Sequence, residues 1–251
     1  MIKLVKKDLK LFFSNKHNIL LTFAVPIILI TLFALVFGGV GKTNRDHLLG
    51  LTHSVAGTSI MMVLFSVASI GASLLDEKQE GILKKLLSSP MHPNNILLGK
   101  MVYANIISIS QLLILFIYAW LVFGLDIMHH IPSLLLMIIA IAYACSGFGV
   151  FLASFAKSRQ QVQGFSTLII MIMSAIGGSM IPVPVMPEFM QKISVISVNY
   201  WGIQDFYDIF WRIVPLTDFT FLSRVLVLLC IGSLLNFIAL LMFKKNILKI
   251  V

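Results

Sequence analysis

Charge is scarce in this chain. Only 12% of its 251 residues are Asp, Glu, Lys or Arg, and just 10 are acidic. A soluble domain normally carries about a quarter charged residues, so this composition excludes an ordinary water-facing globule. Cysteine is scarcer still, with only Cys145 and Cys230, both inside long apolar runs. Each reads as a small core residue, and neither a disulfide framework nor a thiolate metal site is expected. His129 and His130 follow Asp126 in a short turn, but no further ligand set at metal spacing accompanies them, so no metal site is expected. The stretch Gly38-Gly-Val-Gly-Lys-Thr43 imitates a phosphate-binding loop. That motif requires a glycine five residues before Gly41, where Val36 stands, and it opens a soluble helix after a strand. No catalytic residue is expected.

Hydrocarbon is abundant. The chain is 59% hydrophobic with a mean hydropathy of +0.98. A bilayer core about 30 Å thick takes about 20 apolar residues of helix. Six runs qualify, at 19–40, 54–75, 102–124, 134–156, 164–181 and 222–243. Backbone groups in lipid must bond to one another, so these runs are helices. The expected fold is an all-α integral membrane protein of six transmembrane helices in a single domain, residues 1–251.

The cations set the topology. Residues before the first run hold Lys3, Lys6, Lys7, Lys10 and Lys16. The second connection holds Lys78, Lys84, Lys85 and Lys100, the fourth Lys157 and Arg159, and the tail Lys244, Lys245 and Lys249. Of the 19 Lys and Arg, only Lys42, Arg45, Lys192, Arg212 and Arg224 fall on the other side. The positive-inside rule therefore predicts a multi-pass cell-membrane protein with both termini cytoplasmic. The net charge of +9 faces anionic lipid on this reading and needs no nucleic acid. The basic, then apolar start is too long in its apolar part for a signal peptide, so an uncleaved helix is expected.

Three amphipathic stretches stand outside the runs. In residues 1–18, Ile2, Val5, Leu9, Phe12 and Phe13 recur at helical spacing between Lys3, Lys7 and Lys10. This predicts an interfacial helix with its rings in the acyl chains and its lysines on head groups, either a plain anchor or also a contact for a cytoplasmic partner. A helix over 77–88 would place Ile82, Leu83, Leu86 and Leu87 on one face and Glu77, Glu80, Lys84 and Lys85 largely on the other. Lying in a tight cytoplasmic loop, 76–100, it suits docking against another protein. In the outer region, 182–221, Pro182, Pro184 and Pro187 stop the fifth run. A helical stretch at 199–214 then sets Ile203, Phe206, Tyr207, Phe210, Trp211 and Val214 against Asp205, Asp208 and Arg212. Short re-entrant helices in the outer leaflet are expected, with Phe206, Tyr207, Phe210 and Trp211 as a candidate outer gate or, equally, a plug and anchor.

The interiors of the runs hold no Asp, Glu, Lys or Arg near their middles. Ion-coupled carriers commonly need a titratable group at depth, so a self-sufficient secondary transporter is disfavoured. Asn105 and Gln111 read as interhelical hydrogen bonds, and Gly147, Gly149, Gly177 and Gly178 as points of close helix approach.

The pattern Glu77-x-x-x-Gly81-x-Leu83-x-x-Leu86, then Ser89-Pro90 and Gly99-Lys100, resembles the loop of the ABC-2 family of ABC transporter permeases, the membrane subunits of type V exporters. Ile82 stands where that family usually has threonine. The helix order, the basic first helix and the segments Pro187-Glu-Phe-Met-Gln191 and Asn199-Tyr-Trp201 extend the resemblance, most nearly to drug-exporter-like members. It implies a coupling helix that fits a separate ABC ATP-binding subunit through Glu77, Glu80, Gly81, Lys84, Leu87 and Ser88. It also implies a second copy of this chain or a related permease. No cofactor is expected on this chain, ATP and Mg belonging to the partner ATPase. The implied function is export of a hydrophobic or amphipathic, drug-like or lipid-like compound. Export of a polysaccharide or lipid-linked glycan is the alternative, with Phe116, Tyr118, Trp120, Phe148, Phe151 and Phe155 as candidate channel rings. A non-transporting scaffold or immunity protein is the third reading.

Overall fold

The computed structural model describes residues 1–38, 44–88 and 93–246. The phosphate-loop imitation with Lys42, the Ser89-Pro90 pair and Lys249 fall outside these residues, as do the side chains of Arg45, Lys244 and Lys245.

Every regular element among the described residues is helical. The order is α1 (Ile2–Ser14), α2 (Lys16–Ile19), a π-helical turn (Leu20–Ala24), α3 (Val25–Gly38), α4 (Asn44–Gln79), α5 (Ile82–Leu87), α6 (Pro93–Phe123), α7 (Ile131–Phe155), α8 (Arg159–Ile176), α9 (Glu188–Ser194), α10 (Val198–Phe210) and α11 (Phe219–Asn246). Among the described residues, five segments are long and apolar enough to cross a membrane: Lys16–Val36, Asp46–Gln79, Asn94–Phe123, Met128–Phe155 and Phe219–Phe243. The remaining expected run, 164–181, folds as the apolar part of α8 and the turns that follow it. Arg159, Gln160, Gln161 and Gln163 occupy the first turns of α8, which leaves a short apolar stretch on an 18-residue helix.

Sequence explains the irregular start of the first span. Asn15 is extended (φ −97°, ψ 100°) and its side chain accepts from the His17 N–H, capping α2. The π turn lies just before Pro26, whose ring has no N–H and crowds the carbonyl four residues back. Widening the helix there relieves both effects.

The core is built around α4 and α7. At 1.5 Å per residue the 36 residues of α4 run about 54 Å, longer than a bilayer core is thick. Gly149 allows α7 to touch α4 backbone to backbone: a Cβ there would stand 2.4 Å from the Val67 carbonyl oxygen. Asn105 on α6 donates to Ser146 on α7 at 2.7 Å, the interhelical bond its position predicts. Gln111 differs from expectation, being buried with neither amide atom hydrogen-bonded among the described residues.

Two amphipathic readings need correction. In α1 the buried side is Leu4, Val5, Asp8 and Phe12, and the helix packs on α6. Val5 and Phe12 thus face protein rather than acyl chains, while Ile2, Leu11 and Phe13 remain exposed. In the outer region α10 is a core helix instead of an interfacial one. It packs against α4, α7 and α11, and Asp205 and Asp208 are 0% and 2% exposed. Their expected solvent face is closed because Arg212 and Arg224 supply the counter-charge internally.

Candidate functional site

The loop after α4 is not one helix from 77 to 88. The α4 helix ends at Gln79, Glu80 and Gly81 turn, and α5 begins at Ile82. Gly81 has φ +72° with open space around it, so glycine is favoured there by backbone conformation alone. The short α5 is fastened by Leu83, 1% exposed, into a cluster with Leu74, Ile96, Val150 and Phe243 from four longer helices. Glu80, Lys84, Lys85 and Ser88 point outward, and Leu86 and Leu87 are half-buried. A knob with a fixed apolar side and a free charged side results.

Glu77 belongs to a different structure. It lies inside, with its Oε1 3.1 Å from Lys100 Nζ and 3.3 Å from Lys7 Nζ. Lys100, only 3% exposed, also stands 2.8 Å from Asp8 Oδ2, and Lys7 is 3.5 Å from Asp8 Oδ1. Two carboxylates and two ammonium groups therefore tie α1, the end of α4 and the start of α6 together. Partial burial works against the Lys7 ammonium, but Glu77 and Asp8 outweigh it and hold its pKa above the ordinary lysine value. Lys3 and Lys10 are exposed and take no part, and Phe13 points away. Asp8 escaped the sequence reading. Its only signal was being the single acid in a helix of lysines.

Beside this cluster are two open clefts that share wall residues. The larger, 660 Å³, is lined by Asp8, Glu77 and Lys100 and by the turn from Ser14 to Asn18. The smaller, 360 Å³, is lined by Leu21, Met62, Phe65, Ile70 and Ile107, by the serines Ser66, Ser69 and Ser73, and by Arg159. Phe12, Asn18, Ser73 and Tyr103 border both. Arg159 pairs with Asp76, joining the start of α8 to the end of α4.

On α10, Asp208 takes both Arg212 and Arg224. Asp205 lies 3.9 Å from Arg224, and neither of its oxygens is hydrogen-bonded among the described residues. Burial pushes its pKa up to about 8, with Arg224 opposing. The candidate gate residues are brought together but packed inward. The Phe206 ring lies 4.5 Å from that of Phe116, the Tyr207 hydroxyl 2.9 Å from His53 Nδ1, and Phe210 is buried. Trp211, half-buried, closes the helix beside Arg212. Of the candidate channel rings, Phe116 and Phe148 are buried, while Trp120 and Phe155 face outward.

Residues 1–211 match the family described as ABC-2 type transporter. The linearmycin resistance permease protein LnrN of Bacillus subtilis is 21% identical over 163 residues, covering 65% of this chain and 42% of that protein. The inner membrane transport permease YhhJ of Escherichia coli is 24% identical over 198 residues, covering 74% of this chain and 50% of that protein. The chain thus spans half or less of the length of these relatives.

Proposed function

The chain belongs to the ABC-2 type transporter family, and from that premise we propose that it is the permease subunit of an ATP-driven exporter. Its cargo is a hydrophobic or amphipathic compound, and ATP is hydrolysed on a separate ABC ATP-binding subunit with Mg. The observation that carries this reading is the knob of Glu80 to Ser88. Its apolar side is anchored through Leu83 on four membrane helices, and its charged side stands free. A push on such a knob is delivered to the bundle, because packed cores shift between discrete arrangements and do not deform smoothly.

Glu77 has an inside role in this account. With Lys100, Lys7 and Asp8 it passes movement of the loop to α1, and Phe12, one turn beyond Asp8, borders both clefts. The α8 helix with its following turns, residues 159–181, serves as a sixth span, which leaves both termini cytoplasmic in the cell membrane. Exposed apolar residues on α3 and α8, such as Leu32, Leu35, Leu168 and Ile172, are left for lipid and for a second copy or a related permease. The relatives' names, a resistance permease and a transport permease, agree with export.

The test is copurification of the tagged chain from its host membrane, with ATP hydrolysis assayed in lipid. Glu80→Ala combined with Gly81→Pro removes the outward acid and imposes a φ near −65° where +72° is required. The expected result is a copurifying ATPase whose binding or stimulation is lost in the double variant at equal expression. If no ATPase is retained, or the variant behaves as wild type, the exporter reading fails.

A further inference from the structure

We propose that the 360 Å³ cleft binds a neutral, largely apolar compound that carries hydroxyl or carbonyl groups along its length. The inference deepens the exporter reading, on which its physiological meaning rests, by naming the class of compound.

The wall of this cleft mixes carbon surface with polar groups that have nothing to bond. Phe12, Leu21, Met62, Phe65 and Ile107 supply the carbon. Among them stand Asn18 from α2, Thr22 from the π turn, Ser66 and Ser69 from α4, and Tyr103 from α6. The polar groups of these five side chains have no hydrogen-bond partner among the described residues. A helical serine or threonine commonly turns back to a carbonyl three or four residues earlier. Thr31, Ser54 and Ser73 do so here, whereas Thr22, Ser66 and Ser69 do not. Thr22 and Tyr103 are only 8% and 7% exposed, and polar groups so deeply placed are nearly always bonded. Their missing partner is expected to come from outside the chain.

Charge is already settled around the cleft. Among the described residues Arg159 is the one charged side chain that lines it, and Arg159 is paired with Asp76. In the neighbouring cluster Asp8 and Glu77 are matched by Lys7 and Lys100. An ionic ligand would find no unmatched counter-charge, and a charge taken from water without one is costly. A plain hydrocarbon would leave all five polar groups unbonded. Ser66, Ser69 and Ser73 recur at helical spacing, so they follow one side of α4 over about 10 Å. The ligand's oxygens are therefore spread along its length and not gathered in one head group. Ser69 is exposed, which leaves the cleft open to entry on that side.

Binding is read by photolabelling of the purified full chain in phosphatidylcholine nanodiscs, without nucleotide or partner. Four diazirine probes share one alkyl chain: unsubstituted, carrying spaced hydroxyls, and the same polyol ending in a carboxylate or in a trimethylammonium. Labelling of residues 62–73 is divided by labelling around Leu32 and Leu35, which are exposed on α3, to correct for partition into the bilayer. The neutral polyol should give a ratio at least about fivefold above the hydrocarbon, as one or two net hydrogen bonds would supply, and above both ionic polyols. Ser66→Ala combined with Ser69→Ala should bring the polyol down to the hydrocarbon's ratio and leave the hydrocarbon unchanged. Thr22→Val, which keeps the shape and removes the hydroxyl, should lower the polyol ratio at an unchanged melting temperature. A polyol ratio equal to the hydrocarbon's, or a higher ratio for either ionic probe, overturns the site. So does a polyol preference that survives both variants. Because no ATP is involved, failure here leaves the exporter with another cargo. Polyol binding without ATP-dependent transport leaves the site and removes the exporter.

Discussion

Two four-membered sets of acids and bases lie in the bundle, and they are built differently. The first set draws Lys7 and Asp8 from α1, Glu77 from α4 and Lys100 from α6, and it borders a 660 Å³ cleft. The second set takes Asp205, Asp208 and Arg212 from one short stretch and adds only Arg224 from α11, with Asp205 fully buried. A cluster drawn from three helices beside a cleft is placed to pass displacement between them in the proposed exporter. One enclosed in a core between α10 and α11 holds two elements in register and transmits little.

The comparison is broken most severely in the second set. Asp208→Ala removes the buried carboxylate that Arg212 and Arg224 share, leaving Arg224 only Asp205 at 3.9 Å, and removing one partner of a buried ion pair costs about 3–5 kcal/mol. The purified variant should lose its folded, monodisperse state at markedly lower temperature than wild type. In the first set, Lys100→Met should cost somewhat less, about 3 kcal/mol, because the half-exposed Lys7 still faces Glu77 and Asp8. Replacing the set together, with Asp8→Asn, Glu77→Gln and Lys100→Met, should restore much of the melting temperature but leave ATP-driven transport impaired. The same exercise in the second set should restore transport along with stability.

Acidity separates the two sets next. Burial pushes the Asp205 pKa up to about 8 from the ordinary 3.8, so between these values the folded state keeps a proton that the unfolded chain releases. That contribution is complete below the ordinary value and is lost as pH rises through about 8. The difference in melting temperature between wild type and Asp205→Asn should therefore change across this window. Lys7, raised above 10.5, contributes stability that disappears only on the alkaline side, so Lys7→Met should show no comparable change in that window. The smallest effect belongs to Gly81→Ala. A left-handed alanine costs about 1 kcal/mol, which should barely move global melting but should weaken retention of the ATP-binding subunit several-fold.

What sequence could and could not show follows from where each signal lies. Five of the six long apolar runs, the Asn105 contact and close approach at Gly149 are local patterns, and they appear in the fold as expected. Amphipathic periodicity was less reliable because it reports two faces without saying what meets the polar one. In α10 that face meets Arg212 and Arg224 within the protein, so a helix patterned for an interface is buried. In α1 the apolar face meets α6, and Asp8 goes in with it because Lys100 waits there. The break at Gly81 was invisible to spacing, since Glu77 to Ser88 reads as one continuous amphipathic turn pattern until the backbone requires a positive φ. The clefts bring together residues about 50 positions or more apart, such as Phe12, Met62 and Tyr103, which no local motif encodes.

The central claim is that the cluster of Asp8, Glu77 and Lys100 links the coupling knob to the clefts. It is tested most directly by the ratio of compound transported to ATP hydrolysed, measured in proteoliposomes containing the permease and its ATP-binding partner. Asp8→Asn keeps the size of the side chain and removes the charge that joins α1 to Lys100. The account predicts ATP hydrolysis near the wild-type rate, with transport per ATP reduced at least tenfold. An unchanged ratio, whether both activities persist or fall together, would contradict it.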